Sequence, residues 1–428
     1  MHDSNRWQRP FFLIWGGQAF SLLGSSLVQF ALVWWLTQQT GSATVLATAT
    51  LVAVLPGIVI GPFAGALVDR WSRRWVMVAA DAVIALTTAG AVWLAWNGAL
   101  QPWHVYVIMF VRATGGAFHW PAMQASTSLM VPPQHLARVA GMNQTLYGLM
   151  NIMAPPLGAL LLSLLALPFV LLIDIATAAL AILPLLFIPV PQPPAAPVAA
   201  GALRPSMLSD LRAGVRYVLN WPGLLLLMLI ATGINFVLTP AFSLMPLLVV
   251  DHFQGGPWHL GGLESVFGIG VVLGGLLLSA WGGFKRRIYT SLLGLVGMGV
   301  GVTLIGLTPA ALFPLALAAM FLAGFTQPLV NGPVMAIMQA TVAPEMQGRV
   351  FTLLHAVASA MTPLSLAVAG PVADAVGVSP WYVAGGLGCL LMAGLGLLLP
   401  PVLHIEDRPQ NADAPLAAAA PVEVSSDL

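Results

Sequence analysis

Long apolar stretches separated by short polar breaks run along almost the whole chain. They are mostly 18 to 27 residues long, and crossing about 30 Å of hydrocarbon takes roughly 20 residues at about 1.5 Å each. The pattern predicts twelve membrane-spanning helices, near 11–36, 43–67, 75–97, 102–121, 139–165, 168–190, 222–250, 258–282, 287–308, 311–336, 347–372 and 379–403. Several contain proline or glycine, which membrane helices tolerate where neighbours satisfy the freed backbone groups. The opening MHDSNRWQRP leads into an apolar run too long for a signal-peptide core, with no small-residue cleavage pattern after it, so the first span is expected to be uncleaved.

Between the sixth and seventh spans lies VPQPPAAPVAAGALRP, a proline- and alanine-rich stretch that cannot build a core. It divides the chain into an N-terminal six-helix bundle over 1–190 and a C-terminal one over 222–403, joined by a cytoplasmic linker over 191–221. Within the linker, Leu208, Leu211, Val215 and Val218 share one helical face and Ser206 is available as a cap, which predicts an amphipathic helix lying on the membrane surface; an irregular linker is the alternative. The alanine-rich, acidic stretch 404–428 has nothing to bury and is expected to be a disordered cytoplasmic tail.

Composition sharpens this reading. Only 7% of residues are charged and 59% are hydrophobic, whereas a soluble domain carries about a quarter charged residues. A net charge of +1 argues neither for nucleic acid nor for acidic partners, and the single cysteine, Cys389, excludes an internal disulfide and a Cys-based zinc site. Fourteen of the fifteen Lys and Arg residues fall on one side of the predicted spans. Basic loops stay cytoplasmic, so both termini of this multi-pass membrane protein are expected in the cytoplasm. The exception, Arg112, lies inside the fourth span.

The halves also repeat each other. A shift of 213 lays GPFAGALVDRWSRRW over GGLLLSAWGGFKRRI, and a shift of 211 lays LMVPPQHLARVAG over ATVAPEMQGRVFT. Gly282 and Gly283 then stand where the first half has Asp69 and Arg70. Repeated halves with a site between them are a common build of secondary transporters.

The stretch from Gly65 through Asp69, Arg70, Ser72 and Arg73 to Arg74 resembles the loop signature between the second and third helices of the major facilitator superfamily, departing from it at Ser72, where glycine is usual. IMFVRATGGAF resembles the family's fourth-helix arginine motif, with Arg112 as its arginine and Gly115 where glutamine is usual, and MAPPLGA is similar to a degraded antiporter motif in the fifth. From residue 11 to about 400 the chain is similar to the bacterial drug:proton antiporter branch that includes macrolide efflux proteins. The resemblance implies an all-α integral membrane fold of two pseudo-symmetric six-helix bundles that exports hydrophobic or amphipathic, macrolide-like compounds by proton antiport with alternating access. Siderophore export, lipid flipping, or a transport-inactive sensor or scaffold are the alternatives. It also implies a gating loop of Gly65, Asp69, Arg70, Arg73 and Arg74, in which Asp69 latches the cytoplasmic side while the arginines serve at least to fix topology.

Charges within spans are costly and are functional candidates by default. Asp81, Arg112, Asp174 and Glu264 are therefore the candidates for proton coupling. Glu264 and Asp174, in the outer halves of their spans, would take the proton; Arg112 would favour its release and Asp81 would relay it. The plainer readings are solvation of Asp81 at its helix end, and headgroup or loop contacts for the other two acids. His119 and His355 read as helix-packing residues. Gln29, Phe30, Asn235, Phe236 and Met245 are candidates for lining a substrate cavity. Trp34, Trp35, Trp93, Trp96, Trp103, Trp258 and Trp381, near span ends, are expected to be interfacial anchors. No phosphate-binding loop and no zinc-ligand spacing is present, so no enzyme activity, metal or cofactor is expected and an ion gradient is left as the driver. The expected partners are a small amphipathic substrate, protons and the lipid bilayer, around a monomer.

Overall fold

The computed structural model describes residues 7–68, 70–192 and 207–407, and its secondary structure is helical throughout. The first bundle comprises α1 (Gln8–Thr40), α2 (Ala43–Val59) continued by α3 (Gly61–Val68), α4 (Arg73–Trp96), α5 (Pro102–Met130), α6 (Pro133–Leu164) and α7 (Leu167–Phe187). The linker helix is α8 (Met207–Leu219). The second bundle comprises α9 (Pro222–Ser243), a short α10 (Met245–Leu247), α11 (Pro257–Trp281), α12 (Arg287–Leu307), α13 (Phe313–Thr341), α14 (Pro344–Val376) and α15 (Val378–Leu398), followed by α16 (Pro400–Leu403). Among the described helices, ten are long and apolar enough to cross a membrane; α2 with α3, and α5 with its embedded Arg112, complete the pattern of twelve spans. Exposed apolar side chains such as Leu86, Phe187, Leu276 and Leu398 cover the outside, as lipid contact requires.

Local chemistry sets the boundaries. Proline opens α5, α6, α9, α11, α13 and α14, where its missing N–H leaves no bond unmade. The residues after α1 and α11, Gly41 and Gly282, take left-handed conformations that end those helices. Two expected spans are broken. The second stops at Ile60 and restarts as α3, because Pro62 lacks the N–H that would continue the ladder. The seventh ends at Ser243, between Pro240 and Pro246, and its last residues become α10 and a π-helical turn over Leu248–His252.

Three other details differ from the sequence reading. Trp34 is buried rather than interfacial, and Trp381 is half-buried, donating to the Val237 carbonyl at 3.3 Å, while Trp93, Trp96, Trp103 and Trp258 are exposed. Helix α8 packs against α14 and α9, with Val218 buried and Val215 exposed; Ser206, the expected cap, lies outside the described residues. Helix continues past 404 as a turn over Ile405–Asp407, and Ile405 is buried; the remainder of the expected tail is outside the described residues.

In the first bundle α1 packs on α7 and α6, α4 on α5 and α7, and α2 on α5. In the second, α12 lies against α13 and α15, α11 against α13, and α9 against α14 and α15. The bundles meet where α6 packs on α11 and α2 on α14. These pairs are the fifth span with the eighth and the second with the eleventh, each the image of the other under the six-span repeat. Glycine makes both approaches close. A Cβ on Gly268 would lie 2.9 Å from the Ile152 side chain, and one on Gly370 would lie 2.8 Å from the Thr44 Cα.

Candidate functional site

Four helices of the first bundle converge on one buried ion pair. Arg112 of α5 reaches Asp174 of α7 at 2.5 Å, and their side chains are 8% and 1% exposed. The guanidinium also donates to Thr88 Oγ1 at 2.8 Å and the Ser25 carbonyl at 3.3 Å. Ser25 Oγ and Thr88 Oγ1 in turn donate to the Asp174 carboxylate at 3.2 Å and 3.0 Å. Helix α1 comes this near because residue 24 is glycine: a Cβ there would lie 3.1 Å from the Asp174 Cα. The two sequence candidates are thus one neutral unit, the form in which a low-dielectric interior tolerates charge.

Asp81 lies nearer the arginine-rich end and is 4% exposed. It is therefore not solvated at its helix end. Gln18 Nε2 donates to it at 3.0 Å, and His119 Nε2 stands 3.5 Å from the same oxygen. His119, read from sequence as a packing residue, thus adjoins a candidate acid. The side chain of His355 is outside the described residues.

Two of the loop arginines bind backbone carbonyls of neighbouring helices. Arg73 is buried and donates to the Ala125 carbonyl at 3.0 Å, while Arg74 donates to the Leu185 and Leu186 carbonyls at the end of α7, where cations are favoured. Arg70 is exposed and Gly65 belongs to α3; Asp69 lies outside the described residues. In the second half, where glycines replace Asp69 and Arg70, the acid comes from elsewhere: Glu406 accepts from the Ile288 backbone N–H at 2.9 Å, and Asp407 lies 3.5 Å from Arg286.

Between the bundles is a cavity of about 760 Å³. Ser25, Gln29 and Phe30 of α1 form one wall, Asn151 of α6 another, and Phe242, Met245, Glu264, Phe267 and Gln327 of the second bundle face them. A smaller hollow of about 330 Å³ inside the first bundle reaches Asp81, Arg112 and His119 and shares Ser25 and Gln29 with the chamber. The two spaces thus adjoin along α1, with Ser25 and Gln29 between the chamber and the polar network. Of the cavity candidates, Gln29, Phe30 and Met245 line it, whereas Asn235 and Phe236 do not; Asn235 Nδ2 donates back to the Ala231 carbonyl of its own helix. MAPPLGA is the part of α6 that meets α11. There a Cβ on Gly261 would lie 3.0 Å from the Pro155 carbonyl and one on Gly158 would strike the Phe30 ring.

One residue that the sequence reading passed over closes the end remote from the arginines. Asp374, in the last turn of α14, accepts from Ser42 Oγ at 3.1 Å, Ala43 N at 2.6 Å and Thr44 N at 3.0 Å. It caps α2 from the other bundle, satisfying N–H groups that a helix start leaves free. At the α6–α11 contact, Ser265 Oγ of α11 lies 3.0 Å from the Ile152 carbonyl of α6 and 2.6 Å from the Gly261 carbonyl of its own helix. Both junctions lie in the half of the molecule farther from the arginines. The available signal was an acid at a span end, one turn after a glycine.

The fold and the paired charges fit a family that the sequence itself identifies. The profile of the Major Facilitator Superfamily matches residues 14–365, and the chain belongs to that superfamily. It is 34% identical over 386 residues to Macrolide efflux protein A of Streptococcus pyogenes, covering 90% of this chain and 95% of that one. It is 27% identical over 416 residues to the multidrug efflux pump Tap of Mycolicibacterium fortuitum, covering 94% and 98%. Among solved structures, a bacterial homologue of the human lysosomal transporter Spinster, in an inward-facing and unoccupied conformation, superposes with a TM-score of 0.65 at 14% identity, over 95% of this chain and 98% of the other. A POT family transporter in complex with a thioalcohol-conjugated peptide gives 0.68 at 12% identity, over 92% and 96%.

Proposed function

We propose that this protein is a secondary transporter that exports drug-like hydrophobic or amphipathic compounds in exchange for protons. The observation that carries this reading is the chamber between the bundles, large and apolar enough for a drug-sized ligand, lined by Glu264 and adjoining the hollow that reaches Asp81 and Arg112. The efflux relatives, similar over nearly their whole length, support the choice of drug-like cargo. With the arginine-rich end in the cytoplasm, the Asp374 and Ser265 junctions lie on the extracellular side. Alternating access would then require these junctions to part while the cytoplasmic ends close, the role assigned to Asp69. Protons entering from outside would meet Glu264 and the Asp174 unit, and Asp81 would hand them inward. Arg112 already holds Asp174, so protonation of that acid would free the guanidinium and loosen α5 from α7.

The test is accumulation of labelled erythromycin in cells that lack their own drug exporters. Production of this protein should lower accumulation several-fold, and a protonophore should restore it. Unchanged accumulation with the protein present in the membrane contradicts the proposal.

A further inference from the structure

We propose that the compounds carried in the chamber are organic monocations and that Glu264 pairs with their charged nitrogen. The inference rests on the transport reading above and names the substrate class of that same chamber. Of the acids placed mid-span, Asp174 has Arg112, Thr88 and Ser25, and Asp81 has Gln18 and His119. Glu264 lines the chamber with no ion pair and no hydrogen bond among the described residues.

Among the described residues no cation is placed to pair with it: on its own helix, His259 Nδ1 accepts from the Gly256 N–H at 3.1 Å. Helix α11 packs on α6 and α13, and α13 contains no ionisable residue. Helix α6 carries Arg138 fourteen residues before Ile152, where it meets α11, which is about 21 Å along the axis. Arg112 is already bound to Asp174. An uncompensated carboxylate facing a mostly apolar space is unfavourable, and a ligand that brings a positive charge removes that cost.

The walls describe the rest of the ligand. Phe30, Phe242, Phe267 and Met245 surround the chamber, and Phe242 meets Phe267 edge to face with centroids 5.1 Å apart. Aromatic faces attract a cation and cover an apolar body. A metal ion would demand several oxygen ligands, whereas one carboxylate among aromatic rings suits a single charge on a large apolar skeleton. No group of three metal-binding side chains is present among the described residues. Proton and ligand nitrogen then compete for one carboxylate, which gives exchange a physical basis.

Equilibrium binding to the purified full chain in lipid nanodiscs tests this with erythromycin, which carries a tertiary amine, and its neutral analogue in which that nitrogen is an amide. The wild type should bind erythromycin about ten-fold or more tightly than the amide, the equivalent of about 1.4 kcal/mol. Glu264→Gln should abolish the preference while still binding the amide, which shows that the chamber is intact. Glu264→Asp should keep the preference. Equal affinity of the wild type for the two compounds, or an undiminished preference in Glu264→Gln, overturns the proposal. Charge-blind binding alongside intact cellular export refutes only the pairing; charge-selective binding without export refutes only the transport reading.

Discussion

Arg112 and Asp174 each occupy a place where a lone charge would be expensive, and each relieves the other at 2.5 Å. Breaking such a pair from one side leaves an uncompensated buried charge, which costs about 3–5 kcal/mol. Arg112→Gln and Asp174→Asn should therefore each lower the thermal unfolding midpoint clearly. The double variant should be more stable than the sum of the two losses by about 1–3 kcal/mol. Strictly additive losses would mean that the two side chains do not act as a unit. Both residues stand out in the sequence because charges within spans are rare, yet nothing in a single chain says that positions 62 residues apart are partners. The pairing comes from how α5 and α7 sit around α1. The same limit applies to Asp81, whose contact with Gln18 spans 63 residues, and to Asp69, which the sequence singles out and whose geometry lies outside the described residues.

At the level of helices, α14 and α2 form a junction that has to open if the chamber is to face the other side. Gly370 permits the approach and Asp374 secures it with three hydrogen bonds. A hydrogen bond to a charged group is worth about 1.5–3 kcal/mol, and about 1.4 kcal/mol shifts an equilibrium ten-fold. Asp374→Ala should thus make a cysteine at Gln29, which lines the chamber, react about ten-fold faster with a membrane-impermeant maleimide added outside cells, in a background with buried Cys389 replaced. An unchanged rate would show that this cap does not hold the gate. The helices themselves were legible from hydropathy, as were most of their ends from glycine and proline. Breaks at Ile60 and Leu244 were not, because apolar residues run through both and proline inside a membrane helix does not by itself end it. Met245, at the second break, lines the cavity, whereas the polarity of Asn235 is already satisfied by its own helix backbone.

For the molecule as a whole, two repeated bundles meet through α6 with α11 and α2 with α14 around a chamber. The repeat was visible because corresponding loops keep their arginines. The chamber was not, because its walls come from helices far apart in sequence and its polar side chains are too few to form a pattern. Proton-driven movement of a drug through that chamber is the central claim. The most direct measurement uses proteoliposomes with an acidic interior and the membrane potential clamped at zero, in which molecules inserted with the arginine-rich end outward should pump erythromycin inward. Because a weak base enters acidic vesicles passively, the reference is protein-free liposomes under the same gradient. The account predicts steady-state erythromycin inside well above that reference, accompanied by extra alkalinisation of the interior, with both effects lost when the gradient is dissipated. Accumulation equal to that of protein-free liposomes, reached with no extra proton movement, would contradict it.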